Sequence, residues 1–333
     1  LVLRVSSPIS TSILRRIHNV ANMIFHHPFP VSPGGNSGSQ VRPYKMMKAF
    51  ESIGYEVEPV VGYGAERRKA INKIKRAVKQ GKQYDFIYSE SSTMPTLLTE
   101  SHHYPTYPFL DFGFFKWAKR NSIPIGLFYR DIHWKFSNYI DNVSLYKKAI
   151  SIPLYYYDLK QYCLLINHLF LPSIKMEIIL PISWDKGISA LPPGVNTISN
   201  IEIPTKGFGG ALNLLYVGGV NPPLYNLRPL FQTMHKVDGV HLTLCCRQVE
   251  WDAATSIYEP LRADLINVVH VQGEDLHDYY QLADVFALLW TSYEYLDFAM
   301  PVKVFESLGH GVPILTIDGT EAARFVKQES IGW

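Results

Sequence analysis

The stretch MPVKVFESLGHGVPIL (300–315) decides the fold. It lies between two continuous apolar runs of strand length, VFALLW (285–290) and VPILTI (312–317). Pro301 suits the first turn of a helix, where its missing N–H costs nothing. Gly309 and Gly311 suit the end, where a left-handed residue stops the spiral. The unit is therefore strand, loop, helix, strand, with a right-handed crossover between parallel strands. Val302, Phe305 and Leu308 recur at helical spacing and are expected to face the sheet. Lys303, Glu306, Ser307 and His310 then fall in line on the other side. That polar line reads either as a solvated face or as a ligand site at the helix start.

Working outward, the same alternation fills the chain. NMIFHH (22–27), YEVEPVV (55–61), DFIYSES (85–91), the start of PIGLFYRDIHW (124–134) and HLFLPS (168–173) read as strands. Between them, 41–54, 66–82, 109–121 and 154–167 read as helices. IEIPTKGFGG (201–210), rich in Gly and Pro, is the best linker. After it, ALNLLYVGG, HLTLCC (241–246), NVVHV (267–271) and VFALLW continue the series, with a helix around 226–236. Strands alternating with helices mean parallel sheets covered on both faces. The expected domains are 1–203 and 204–333, and their natural ligand place is at the carboxyl ends of the strands.

Composition bounds the function. The 333 residues are 47% hydrophobic and 18% charged, enough for two ordinary domains. A net charge of +3 on this length gives no support to a nucleic-acid role. Cys163 and the adjacent Cys245–Cys246 offer no metal or disulfide spacing and read as buried thiols in a reducing compartment. No apolar stretch approaches the ~18 residues of a membrane span. The opening residues lack the pattern of a signal peptide, so the expected location is the cytoplasm. The chain opens inside an apolar segment and stops at ESIGW after a helix-like stretch, and residues are expected to be missing from one or both ends.

Two glycine loops follow strands. SPGGNSGSQ, with Gly34, Gly35 and Gly38, precedes a helix and could offer backbone N–H groups to an anion or sugar. It lacks both the GxGxxG spacing and a P-loop ending, which disfavours a nicotinamide dehydrogenase. Gly218–Gly219 after LLYV admits close approach to the backbone, and both loops read equally as tight turns. Glu306 is a stronger signal, because one carboxylate can accept both hydroxyls of a ribose. Lys303, one turn earlier, places positive charge near a diphosphate, and Arg247 adds a second cation.

These residues carry a resemblance. The run P-x-K-x-F-E-x-L-x-x-G-x-P-I (301–314) resembles the donor-binding segment of GT-B-fold glycosyltransferases of the family-4 (group 1) type. GGNSGSQVR (34–42), FYRDIHW (128–134), LPPGVN (191–196), LLYVGGV (214–220) and VQGEDLHDYYQLADVFAL (271–288) resemble further segments of that fold, in the same order. The resemblance implies an α/β fold of two Rossmann-like, doubly wound domains facing each other across a cleft. The first would bind acceptor and the second a nucleotide-sugar, foremost a UDP-sugar. It assigns the donor ribose to Glu306, the base to backbone around Val271–Gly273, and the diphosphate surroundings to Gly218–Gly219. Asp131 would lie by the transferred sugar, with no cofactor or bound metal required.

Departures from the family pattern accompany the matches. The first of the family's two glutamates falls on Phe298, with Glu294 and Asp297 as stand-ins from the same loop. The usual Arg–Lys pair is replaced at about Gly219 and Tyr225, leaving Arg247 or Lys303 to compensate. Arg130 stands where the family often has His. If transfer inverts the sugar, Asp131 or His133 is the general base; if it retains, the donor phosphate serves and Asp131 orients the sugar. As structural alternatives, Asp131 caps a turn and His133 and Trp134 pack.

ERRKAINKIKRAVKQGK (66–82) has eight basic residues and one acid, with Ile71, Ile74 and Val78 at helical spacing. It reads either as a solvated helix or as a basic amphipathic helix for an anionic membrane surface at the inner face of the cell membrane. His102–His103 reads as loop structure. The function expected is sugar transfer to a glycan or lipid-linked acceptor in polysaccharide or glycoconjugate synthesis. The alternatives are a sugar-nucleotide epimerase of the same fold and a catalytically silent partner subunit.

Overall fold

The computed structural model describes residues 21–33, 38–195, 210–291 and 293–333. Gly34, Gly35, linker residues 201–209 and the 203/204 boundary lie outside the described residues. The first series comprises β1 (Ala21–His26), α1 (Gly38–Ser52), β2 (Tyr55–Val60), α2 (Gly64–Lys79), β3 (Phe86–Glu90), α3 (Leu110–Arg120) and β4 (Ile125–Phe128). It continues through α4 (Ser137–Asn142), α5 (Leu145–Leu165), β5 (His168–Leu171) and β6 (Gly187–Ala190). These six strands form one sheet in the order β2-β1-β3-β4-β5-β6.

The second series is β7 (Leu212–Val217), α6 (Arg228–Met234), β8 (Val240–Cys245), α7 (Gln248–Tyr258) and β9 (Ile266–Val269). Then come α8 (Leu276–Leu282), β10 (Val285–Leu288), α9 (Val302–Gly309), β11 (Ile314–Thr316) and α10 (Glu321–Gln328). Its sheet runs β11-β10-β7-β8-β9, with every neighbouring pair parallel. The strand order reverses between β7 and β10, which is the place where a doubly wound sheet leaves a crevice at its carboxyl edge. Leu214, Leu215, Tyr216, Leu242, Leu244, Phe286 and Ile314 form the buried floor of this sheet. Tertiary contacts group the chain into two compact units. One runs to Leu127 and takes in Leu164–Asn167; the other holds Phe128–Cys163 and the described residues from His168 on.

Several local expectations need correction. Val302 is exposed, whereas Phe305 is buried and Leu308 packs partly buried against the core as expected; Val304 and Ser307 join them on the inward face. Val302 sits at the very start of the helix, directly after the extended Pro301. Ser307 is fully buried and satisfied, its hydroxyl donating to the Val312 carbonyl at 2.8 Å. The left-handed residue after the helix is Gly311, with φ 72°, while Gly309 lies within it. Helix α5 starts at Leu145, nine residues before the expected 154, and carries Pro153 inside it. The elements α4 and β6 carry too little periodicity to be anticipated. Cys245 and Cys246 are buried as expected, whereas Cys163 is half-buried. His103 lies in an exposed turn with φ 58°.

The basic run on α2 hides a second correction. Arg67 is 2% exposed, so it does not belong to the solvated face. Its guanidinium donates to both oxygens of buried Asp111, at 2.9 and 3.1 Å, and to the Gly62 carbonyl at 2.5 Å. His26, at the end of β1, lies 3.0 Å from Asp111 Oδ1 through Nε2 and 2.8 Å from Ser89 Oγ through Nδ1. Burial holds the His26 ring below its ordinary value of 6.5. The ring is therefore neutral, with Nε2–H donating to Asp111 and Nδ1 accepting from Ser89. Burial alone would raise the Asp111 carboxyl, but the His26 hydrogen bond and the Arg67 charge outweigh it and hold it below 3.8.

The sign of the pH dependence follows. Below 6.5 the unfolded chain protonates at His26 while the folded chain resists, so stability falls as pH drops through that value. Thermal midpoints measured from about pH 7 to about pH 5 should decline, and His26→Gln should flatten the decline. An unchanged slope in the variant would remove His26 from the account.

Candidate functional site

The donor-side residues singled out in the sequence follow the carboxyl ends of four parallel strands. Gly218 and Gly219 follow β7, Arg247 follows β8, and Val271 and Gly273 follow β9. The β10 strand leads through a loop into α9 with Lys303 and Glu306. Because β7 and β10 are neighbours at the reversal of strand order, these loops border one crevice.

The Gly218–Gly219 turn is tightly held. Gly218 N–H donates to the Cys245 carbonyl at 3.0 Å, so that amide is already used by the sheet edge. The Tyr216 hydroxyl donates to the Gly219 carbonyl at 2.5 Å. A Cβ on Gly219 would stand 2.5 Å from the Tyr225 ring and 3.3 Å from Glu250 Oε2. Burial pushes the Tyr225 hydroxyl up, and the Glu250 and Asp131 carboxylates add to the push. Arg247 caps α7 and pairs with Glu250, three residues on. The second cation anticipated beside the diphosphate is thus shared with an acid.

Glu306 heads a second group. Its Oε2 accepts from Lys303 Nζ at 2.5 Å and from the Tyr280 hydroxyl at 3.5 Å. Both charged side chains are about one-third exposed, at 31% for Lys303 and 30% for Glu306. His310 donates through Nδ1 to the Glu306 carbonyl at 2.8 Å and stacks on Tyr280 at 4.4 Å. The His310 ring therefore braces the helix end. The Cys245 thiol donates to the Val271 carbonyl at 3.2 Å. Gly273 adopts φ 63° at the start of a one-turn 3-10 helix, a conformation that favours glycine.

Asp131 belongs to the same compact unit as these loops. Its Oδ1 accepts from the His133 amide and from the Tyr295 hydroxyl, both at 3.0 Å. His133 Nδ1 lies 3.3 Å from Oδ2 and forms no hydrogen bond. The His133 ring packs edge-on against Tyr139 and Tyr155, and Trp134 is buried and stacked on Tyr155 at 4.9 Å. Asp131 therefore does close a turn, as one reading held, and it keeps an exposed edge as well. Arg130, beside it, is half-buried. Burial, with Asp131 adding to it, raises the Tyr295 hydroxyl far above its ordinary value, so it remains a donor.

The loop after β10 explains the missing glutamate. Phe298 is buried, stacks on Phe136 at 5.7 Å, and accepts from the Ser173 hydroxyl through its carbonyl at 2.6 Å. Asp297 offers its carbonyl to Lys175, and Glu294 is exposed. Tyr293 accepts from the Asn138 amide at 3.0 Å. The position that carries an acid in the family pattern is an aromatic core residue here. Tyr225 stands at the position already noted for a missing cation, while Tyr280, Tyr295 and Glu250 join the site without having been anticipated; their only sequence signal is their place just past a strand end or on the following helix.

No family model matches the chain, and no curated protein matches it. Solved structures do match in fold. A glycosyltransferase from Rickettsia africae superposes with a TM-score of 0.57 at 12% identity, covering 95% of this chain and 84% of that one. The lipopolysaccharide outer core galactosyltransferase WaaB gives 0.54 at 14% identity, covering 91% and 82%. HepE from Anabaena, solved with UDP and glucose, gives 0.53 at 12% identity with the same coverage. The chain has the α/β GT-B fold of these proteins, as the sequence resemblance implies.

The turn after β7 supplies a direct test of packing. Gly219→Ala should displace the Tyr225 ring and cost about 1–3 kcal/mol in denaturant unfolding, as overpacking does. Gly273→Ala, where an added Cβ meets nothing within 4 Å, should cost less, through backbone strain alone.

Proposed function

We propose that this GT-B-fold chain transfers a hexosyl group from a nucleotide-sugar, foremost a UDP-sugar, to a glycan or lipid-linked acceptor in the cytoplasm. The observation that carries the reading is the partly exposed Lys303–Glu306 pair on the helix that follows β10, at the reversal of strand order. The fold match to HepE, a protein solved with UDP and glucose, supports it.

In this reading Glu306 accepts the ribose hydroxyls, and the Lys303 ammonium turns to the diphosphate. Val271 offers its amide to the base beside the Gly273 turn. As the bond from the anomeric carbon to phosphate breaks, its electron pair leaves with the diphosphate. Lys303 and Arg247 then balance the charge that develops. The reading assigns this task to side chains and requires no metal. Asp131, steadied by Tyr295, takes the proton of the attacking acceptor hydroxyl if the sugar inverts. If the sugar is retained, Asp131 orients it while the donor phosphate takes the proton. His133 is placed by packing and serves as second choice for the base.

Two observations favour a silent partner subunit as the second reading. Phe298 occupies the place of the first glutamate, and Glu250 stands beside Gly219 where the family has a cation. Binding without turnover would mark that case.

Titration of UDP, GDP, ADP and CMP into the protein by calorimetry should show one strong binder. Glu306→Ala should weaken it at least about tenfold, the scale of one hydrogen bond to a charged group. Equal binding by the variant would sink Glu306 as the ribose ligand. Asp131→Asn should leave that affinity intact and lower transfer by about 10²–10⁴-fold, the range of a lost general base. Wild-type protein that binds nucleotide and neither transfers nor hydrolyses any donor sugar would replace the enzyme with the silent subunit.

A further inference from the structure

The turn after β7 is bordered by an acid that the fold leaves half satisfied. Glu250, in the first turn of α7, gives one carboxylate oxygen to the Arg247 guanidinium. Its other oxygen, Oε2, is shut off from solvent and meets no hydrogen-bond donor among the described residues. A buried carboxylate oxygen without a donor costs the full desolvation of that group, so folded proteins rarely keep one without a reason. Its place is well defined. It stands 3.3 Å from where a Cβ on Gly219 would be, and the Tyr225 ring stands 2.5 Å from the same point. Oxygen and ring therefore share the small space that Gly219 leaves open.

We propose that Glu250 sets sugar specificity: its Oε2 accepts a hydroxyl of the donor's sugar, and the subsite beside Gly219 admits sugars without a carboxylate. The surroundings fit a sugar better than a phosphate. Gly218 N–H is already given to the Cys245 carbonyl, and the nearest charge to the turn is the Glu250 carboxylate. Asp131 faces the same place, because burial raises the Tyr225 hydroxyl and the Glu250 and Asp131 carboxylates both add to that rise. The Tyr295 hydroxyl donates to Asp131 and completes a group of two acids and two phenols. Hydroxyls of a neutral sugar can donate to such a group. A uronic acid would bring a third carboxylate to it, and Arg247, the cation paired with Glu250, is already engaged. Like charges brought together cost more than one lost contact does.

The Tyr225 ring, which is only partly buried, turns aside to let that hydroxyl in. Selection of this kind rests on the proposed nucleotide-sugar site, and it needs no turnover, because binding alone reports it. It gives the acid beside Gly219 a task, where a silent subunit would carry that acid without consequence. A solvent molecule trapped there would satisfy Oε2 as well, but it would not make the affinity for two sugars depend on Glu250.

Titration of UDP, UDP-glucose and UDP-glucuronate into the full chain by calorimetry tests the proposal; with GDP as the binding nucleotide, GDP-mannose and GDP-mannuronate replace the two sugar donors. The two sugars of each pair differ only at C6, a hydroxymethyl in one and a carboxylate in the other. UDP-glucuronate should bind at least about tenfold more weakly than UDP-glucose. Glu250→Gln, which keeps the size of the side chain and removes its charge, should bring the two within about threefold of each other. If that variant fails to fold, Glu250→Asp, which draws the carboxylate back by one carbon, should narrow the same gap. Equal binding of both sugars by the wild type, or an unchanged gap in the variants, would overturn the assignment and leave nucleotide-sugar binding intact, which the UDP titration reports separately. Failure of every nucleotide and nucleotide-sugar to bind would overturn both.

Discussion

Parallel pairing of β7 with β10 is the constraint from which the rest of the site derives. Leu214 and Leu215 lie in register with Val285 and Phe286, all four buried, so the two strands are joined through continuous apolar sequence rather than through alternation. The strand order reverses there, with β8 and β9 on one side and β11 on the other. The loops leaving β7 and β10 consequently part from each other, and what they carry faces a shared opening. The glycine turn, the Lys303–Glu306 pair and the Tyr295 loop inherit their positions from that one pairing. A substitution that disturbed the β7–β10 ladder would move all three together.

Three carboxylates surround this opening, and their partners differ in a way that sorts them. Glu306 and Glu250 each meet a cation three residues earlier in the chain, Lys303 and Arg247. Such partly solvated pairs add little to stability, so their effect is to place charge rather than to hold the fold. Asp131 is steadied instead by neutral donors, the Tyr295 hydroxyl and the His133 amide. The buried Arg67–Asp111–His26 network is a different matter, because its charges are removed from water and each relies on the others.

The fold was legible from α9 outward because Pro301 and Gly311 punctuate the helix and apolar runs flank it. The face of α9 was less so. A helix of two turns fits two phases of the same apolar pattern, and the buried phase is decided by Ser307, a polar residue that gains its partner only when Val312 folds back. Arg67 looked like one more member of a basic run, since Asp111 and His26 stand 44 and 85 positions apart from their partners in the network. The site shows the same division. Residues that follow a strand end, such as Gly219 and Arg247, could be found from the chain alone. Tyr295 and Glu250 could not, because each joins the site only through partners that tertiary structure brings to it, Asp131 for the one and Gly219 for the other.

The adjacent thiols at the end of β8 carry one more consequence. Cys245 donates a hydrogen bond to the Val271 carbonyl, while Cys246 stands among the Tyr216 and Glu250 surroundings, and burial raises the Cys246 thiol to about 12. A thiol in that state has almost no thiolate, which is the form that reacts with alkylating reagents. Both thiols are free. Burial raises both thiols, so their alkylation is expected to wait on opening of that strand edge. The chain thereby carries, beside its candidate donor site, a native chemical clock for the local opening of that sheet edge.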